Sequence, residues 1–522
     1  MLNLVSLEDP GYGTELIDGS GGHIEYRLEV FDPRESTVRF YESRFRYRRE
    51  GEVKTGVYTR GLAVVLGPFV DVVTHDSAVI SWETDRPVGG AVLVGGKEYI
   101  AEGESTHHEV LVPGLTPDTE YAYRVKFSPV AAGRKYAFRT APEPGSRGPV
   151  TFGFIADSRE GVGGGEESVN GLNVKDLTGF LTALYRHGAD FVCFGGDLVK
   201  GYTSSQQDFE LQLRSWKRAS QPVAALIPVY EAMGNHEQVG DYFSIPARDG
   251  ESGRLLAFTD RSGERSAEGC FARAFTNPLG SVYGFTAPAP ESRAPGLSGA
   301  ESGPTYEENV YSFNYGNVHI VALNTNYWYT GYMSSSGYVR KPSDREGTDL
   351  ALELLGGNRE SYVRENQLDW LDRDLAEAGE YPDIDWVFVF LHEPAFPNGG
   401  HVRDAMYWGT VVDGEMRGHN SHDAPLGDVV DMRNRFWKIL DSHDKVLALL
   451  AGDEHNYSRM LVDAAVNPEY RRRIWQITSG GCGAPFYARD ESVPWSGNVR
   501  SFARSKHCCL FEVEGKKVGY TV

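Results

Sequence analysis

The chain has 522 residues, with 52 basic and 73 acidic side chains and a formal charge of −21. That length exceeds one ordinary core and predicts two or three domains. The acidic balance argues against a polyanionic partner, whether nucleic acid or an anionic membrane surface; an anionic substrate would need local positive charge, which bound metal ions could supply.

Hydrophobic content, 40%, is that of a folded protein. Five cysteines (Cys193, Cys270, Cys482, Cys508, Cys509) form no CxxC or Cys/His spacing. A disulfide framework is therefore not expected, although one isolated bridge stays open. Cys193 falls in the apolar run Phe191–Phe194, where a buried inert thiol is expected. Residues 1–20 lack a basic-then-apolar signal pattern, and no apolar run approaches membrane-spanning length. The expectation is a soluble protein with no signal peptide in this sequence.

In chain order, residues 1–64 alternate polar and apolar positions, as in Ile24-Glu25-Tyr26-Arg27-Leu28-Glu29-Val30, which predicts a small β-rich leader. Residues 65–142 carry short alternating runs (78–82, 90–94, 108–112, 120–125 and 135–139) separated by turn residues, the spacing of an all-β sandwich. Residues 141–148, rich in Pro and Gly, read as a linker. From residue 148 to 522 the pattern changes. Apolar runs at 151–156, Phe191–Phe194, 223–232, 386–391 and Val446–Ala451 suit strands buried on both faces. Helical periodicity lies between them at Val174–Arg186, 362–378 and 428–442. Two stretches, 237–305 and 397–425, are poor in pattern and read as functional inserts or surface decoration. The end of the chain predicts a hairpin of 508–513 and 517–522.

Each apolar run is followed by a cluster of donor side chains: Asp157-Ser158-Arg159, Gly196-Asp197, Gly234-Asn235-His236-Glu237, Leu391-His392-Glu393 and Gly452-Asp453-Glu454-His455. The carboxyl ends of buried strands are where open α/β sheets place ligands. Oxygen and nitrogen donors gathered there suit a hydrolytic metal site. Singly, each cluster has a structural reading, such as Asp157 capping a turn or His392 satisfied in the core. In series they predict a shared site.

The series resembles the calcineurin-like metallophosphoesterase superfamily, whose pattern is Asp-x-His, Gly-Asp, Gly-Asn-His-Asp/Glu, a strand-end His, and Gly-His-x-His. The stretch Leu111-Val112-Pro113-Gly114-Leu115-Thr116-Pro117-Asp118-Thr119-Glu120-Tyr121 resembles a fibronectin type III signature, with Trp82 as core tryptophan and Tyr121 as a buried strand tyrosine. A fibronectin-like domain ahead of the phosphoesterase region is similar to the architecture of purple acid phosphatases. The resemblance implies a four-layer α/β/β/α sandwich behind an all-β sandwich, and a metal-dependent phosphoester hydrolase, acting on phosphomonoesters rather than diesters. It implies a dinuclear centre with one metal on Asp157, Asp197 and His455, and a second on Asp197, Asn235, His392 and Asp453. His236 would protonate the leaving group while a metal-bound hydroxide attacks phosphorus. The metals implied are one or two of Mn, Fe, Zn or Mg, the partner a small-molecule phosphoester, and the compartment extracytoplasmic on resemblance alone.

Three positions depart from the pattern. Arg159 stands where many members carry a His ligand; always protonated, it could grip phosphate or form a salt bridge to Glu160, Glu166 or Asp157. Lys200 stands where purple acid phosphatases supply a tyrosinate, Tyr202 being at the wrong offset, so a colourless protein is expected. Asp453 replaces the first His of the last motif; its harder oxygen favours Mn, Fe or Mg over Zn. Two rivals remain: a phosphate- or metal-binding relative with little turnover, and an adhesive or scaffold protein working through its fibronectin-like domain. Among weaker candidates, His401, His419 and His422 read as solvated loop histidines, 161–165 as a flexible loop, and Arg471-Arg472-Arg473 as a solvated basic turn.

Overall fold

A computed structural model describes residues 21–32, 37–52, 55–126, 134–159, 168–203, 205–238, 254–255, 263–290, 303–329, 332–333, 339–340, 358–402, 405–407, 409–412, 415–418 and 427–522. Glu160, Glu166, the 161–165 loop, His419 and His422 lie outside these residues. Two compact units are present: Met1–Thr140 with Ala224–Leu226, and Ala141–Val223 with Ile227–Val522.

The first unit is all β. Gly21–Asp32, Thr37–Glu50 and Val57–Gly61 form an antiparallel three-stranded sheet. A sandwich follows, with Val64–Asp71, Ser77–Val88 and Ser105–Pro113 in one sheet and four strands between Ala91 and Arg139 in the other. Alternation turns Ile80, Trp82, Val110 and Val112 inward to meet Val92, Tyr123, Val125 and Phe138. Trp82 is in the core as expected, stacked on His108 at 4.7 Å. The buried strand tyrosine is Tyr123; Tyr121 is half-buried, and its hydroxyl accepts from the Thr116 amide at 2.9 Å. Two residues of shift along the strand keep the same face, so the period-two pattern alone could not choose between them.

The second unit is a four-layer α/β/β/α sandwich. One sheet runs Val229–Glu231, Phe191–Phe194, Pro149–Ile155, Cys509–Glu514 and Lys517–Thr521, its first three strands parallel. The other has seven strands, with Val318–Ala322, Trp386–Phe390, Val446–Ala451 and Ile474–Ser479 parallel at its centre. Strands buried on both faces explain the unbroken apolar runs. Phe388 and Phe390 face the opposite sheet with Phe152, Phe191 and Phe511, whereas Val387, Val389 and Leu391 face the helices Glu365–Glu380 and Gly427–Ser442. On the outer face of the smaller sheet lie Val174–Arg186 and Gln206–Ala224: a Cβ on Gly153 would meet Leu184, and Trp216 packs edge-on to Phe194 at 5.2 Å. Each such ring buried stabilises the fold by roughly 1.5–3 kcal/mol, so the strand ends project from a rigid frame.

Several expectations need adjustment. The run read as a strand over 223–232 is strand only at Val229–Glu231, because Val223 and Ala224 are the last residues of the 19-residue helix Gln206–Ala224. All five cysteines are free thiols, and burial pushes the Cys193 thiol well up. The basic triplet is not simply solvated. Half-buried Arg472 donates to the Leu440 carbonyl at 3.3 Å and the Val446 carbonyl at 2.8 Å, closing the end of the helix Gly427–Ser442. No helix among the described residues is long and apolar enough to cross a membrane.

Candidate metal centre

Asp157, Asp197 and Asn235 follow three adjacent parallel strands of the smaller sheet; His392, Asp453 and His455 follow two adjacent parallel strands of the larger. The two sheets face each other, so both sets converge at one edge. Asp157, Asp197 and His392 each offer a ligand atom, all within 4.8 Å of one another and all buried. Asp453 joins the two sides, its amide donating to Asp157 Oδ2 at 3.0 Å.

The local backbone makes this convergence possible. Asp157, Asp197 and Asp453 have φ of 67°, 52° and 64°. Among residues with a side chain, Asp and Asn tolerate this left-handed region best. Gly234 must be glycine for space: a Cβ there would lie 2.4 Å from both the amide nitrogen and Oδ1 of Asp197.

Asp197 is the hub. Its Oδ1 accepts from the His236 amide at 3.0 Å and lies 3.1 Å from His392 Nε2. Its Oδ2 accepts from Arg159 Nε at 2.9 Å. Burial would push this carboxyl up, but the His392 and His236 imidazoles and the Arg159 guanidinium outweigh it and hold it well below the usual range. Glu237 braces the hub from behind, accepting from the amides of Asp197 at 2.9 Å, Gly234 at 2.7 Å and Val199 at 3.2 Å. Burial, aided by the Asp197 charge, pushes Glu237 up to about 8.

His392 donates from Nδ1 to the Gly195 carbonyl at 2.7 Å, which fixes Nε2 as the atom facing Asp197. His455 uses the same device on the Pro485 carbonyl at 2.5 Å. Its Nε2 lies 3.4 Å from Asp157 Oδ1 and accepts from Arg159 Nη2 at 3.1 Å. Burial draws both imidazoles toward the neutral form. At His392 the Asp197 charge outweighs burial and holds the ring well above its ordinary value, whereas His455 stays lowered, with Arg159 acting in the same direction as burial.

Asn235 donates from Nδ2 to Glu360, turning the opposite end of the amide away. Its Oδ1 is buried without a hydrogen-bond partner, as is Asp157 Oδ1. Buried polar oxygens left without a partner are costly unless a cation or donor satisfies them. His236, mostly buried, donates from Nδ1 to the Lys200 carbonyl at 2.6 Å and holds Nε2 at 3.9 Å from Asp197 Oδ2. The Lys200 side chain is exposed, so that position contributes backbone rather than a ligand.

The ligand candidates Asp157, Asp197, Asn235, His392, Asp453 and His455 thus gather at one edge, with Arg159 and His236 beside them. Arg159 engages Asp197 and His455 there; Glu160 and Glu166, two of the partners considered for it, lie outside the described residues. His401 is no solvated loop residue: its side chain is 15% exposed, with Nδ1 3.6 Å from Asp453 Oδ1 and its ring against Tyr487. Glu360 and the bracing role of Glu237 also escaped the sequence reading. Glu237 sat in a quoted motif, and a carboxylate three residues after a strand-end glycine signals a possible amide brace.

No family model matches the chain. Two curated Mycobacterium tuberculosis proteins, one from each of two strains and both described as uncharacterized, are 25% identical over 410 residues, 73% of this chain and 59% of theirs. The chain therefore spans about three fifths of the length of these relatives. Among solved structures, a purple acid phosphatase from yellow lupin (Lupinus luteus) seeds aligns with a TM-score of 0.55 at 12% identity, covering 92% of this chain and 79% of that one. PhoD aligns at 0.53 and 15% identity, covering 87% and 88%. The fold is that of the calcineurin-like metallophosphoesterases.

Proposed function

We propose that this protein is a metal-dependent phosphoesterase that hydrolyses small phosphomonoesters at the edge where the two sheets converge. The observation that carries the reading is the buried meeting of Asp157, Asp197 and His392 at strand ends, on a phosphatase fold. The residues fit a cation on the Asn235 side of the cluster: Asn235 Oδ1 is orphaned, His392 presents Nε2, and Asp197 presents Oδ1. Asp453, 3.8 Å from His392, would complete the set, and its oxygens favour Mn, Fe or Mg. When bound, such a cation supplies Lewis-acid polarisation of a phosphoryl oxygen and lowers the pKa of water.

The chain's own groups do the rest. His236, anchored through Nδ1, carries at Nε2 the proton that a leaving alkoxide needs. Glu237 fixes the backbone of Asp197 so that both carboxylate oxygens keep their directions. The acidic protein attracts no anion by net charge, so Arg159, with a cation held on these donors, would provide the positive field that receives phosphate.

The test is hydrolysis of p-nitrophenyl phosphate and bis(p-nitrophenyl) phosphate after chelation and reloading with Mn, Fe, Zn, Mg or Co. Restoration by metal, with the monoester faster, supports the reading; neither bound metal nor turnover under any condition sinks it. A second reading, a metal- or phosphate-binding protein with little turnover, draws on the engagement of Arg159 inside the cluster. It expects bound metal without hydrolysis.

A further inference from the structure

We infer that the Asp157–His455 half of this centre is closed to metal by the Arg159 guanidinium, so that the site binds one divalent cation, on the Asn235–His392 side, rather than two. This rests on the metal-dependent reading above and narrows it. Three observations carry it.

First, two of the three residues on that half, Asp197 and His455, already give a donor atom to a cation, leaving only Asp157 Oδ1 without a hydrogen bond. Arg159 Nε donates to Asp197 Oδ2 at 2.9 Å and Nη2 to His455 Nε2 at 3.1 Å. The nitrogen that His455 would offer a metal is the one accepting this bond, because its Nδ1 is committed to Pro485. A metal needs that lone pair.

Second, the arginine is buried and its backbone is anchored on both sides. Arg159 is 8% exposed, its amide donates to the Asp197 carbonyl at 3.1 Å, and its own carbonyl accepts from Asn173 Nδ2 at 2.8 Å. Arginine does not deprotonate in proteins, so no neutral form exists to yield the position. With a metal bound, Asp197 would stand between that ion and a cation that is part of the chain.

Third, the two positive groups would compete. A divalent ion on that half would have to share Asp197 and His455 with a buried guanidinium that cannot lose its charge.

The test is the metal count of the whole protein, loaded with Mn(II) and freed of excess, by elemental analysis, with electron paramagnetic resonance on the same samples. Wild type is expected to hold one Mn per chain with the spectrum of an isolated ion. Arg159→His, which exchanges the guanidinium for a neutral donor, is expected to hold two with an exchange-coupled spectrum. Two Mn per chain in wild type overturns the inference and leaves the phosphoesterase reading intact. None in wild type overturns both. A folded Arg159→His that still holds one Mn also overturns it, and the wild-type count decides the matter even where that variant fails to fold.

Discussion

His392 and His455 are built alike and surrounded differently. Both follow parallel strands of the larger sheet, both are fully buried, and both anchor Nδ1 on a backbone carbonyl. One then faces the Asp197 carboxylate; the other lies between the Asp157 carboxylate and the Arg159 guanidinium. The lesson is that a correctly oriented imidazole is not yet a metal ligand. Whether a fixed cation already occupies Nε2 decides, and that cation comes from a residue 296 positions away in the chain.

The largest expected effect follows from this contrast. His392→Ala should weaken Mn binding by more than the roughly 10–100-fold that loss of an outer partner costs, whereas His455→Ala should leave one ion per chain and its affinity nearly unchanged. Calorimetric titration of the two variants checks this, and equal losses would break the contrast. Next, His236→Ala should lower kcat by about 10²–10⁴-fold without changing metal content. The deficit should shrink for p-nitrophenyl phosphate, whose leaving group needs little protonation, relative to an alkyl phosphate.

Metal removal sharpens the same comparison through stability. At a free Mn(II) concentration about 1,000-fold above Kd, binding should add about 4 kcal/mol. Thermal unfolding should show this increment in wild type and His455→Ala, and lose it in His392→Ala. The smallest effect lies away from the centre. Glu268, buried and accepting from the Trp328 amide at 2.6 Å, is pushed up to about 7 by burial. Its folded form keeps a proton that the unfolded chain releases near 4.5, so its contribution is present at low pH and is lost as pH rises through about 7, on the order of 3 kcal/mol in all. Glu268→Gln should flatten that part of the denaturant-midpoint profile between about pH 5 and 7. Asp197, depressed rather than raised, shows how a buried carboxylate behaves when cations surround it.

Much of the fold was legible because its strands are buried on both faces and read as unbroken apolar runs: Phe191–Phe194 and Val446–Ala451 match to the residue. Val174–Arg186 was equally clear, since Leu177, Leu181 and Leu184 repeat at helical spacing on a polar background. The helix Gln206–Ala224 was missed because polar residues dominate it and Pro222 lies in its last turn, which merged with the apolar run before Val229. In the site, strand-end position gave the donor types but not their partners. Arg159 and His455 are 296 residues apart, and Asn235 and Glu360 are 125 apart. Such pairings come from tertiary convergence, which no local pattern encodes. His401 was misjudged for the same reason: a Gly-rich neighbourhood suggested solvent, and the fold turned it against Asp453.

The left-handed backbone at Asp157, Asp197 and Asp453 also limits how this site could be lost by mutation. From an aspartate codon, single-base changes reach Glu, Val, Ala, Tyr, His, Asn and Gly. Glu, Val, Ala and Tyr meet a backbone cost of roughly 1–2 kcal/mol at such a φ, in addition to any chemistry forfeited. Asn and Gly remove the charge and leave the turn relaxed. A lineage that abandons the reaction is therefore expected to carry Asn or Gly at these three positions while the rest of the sandwich persists.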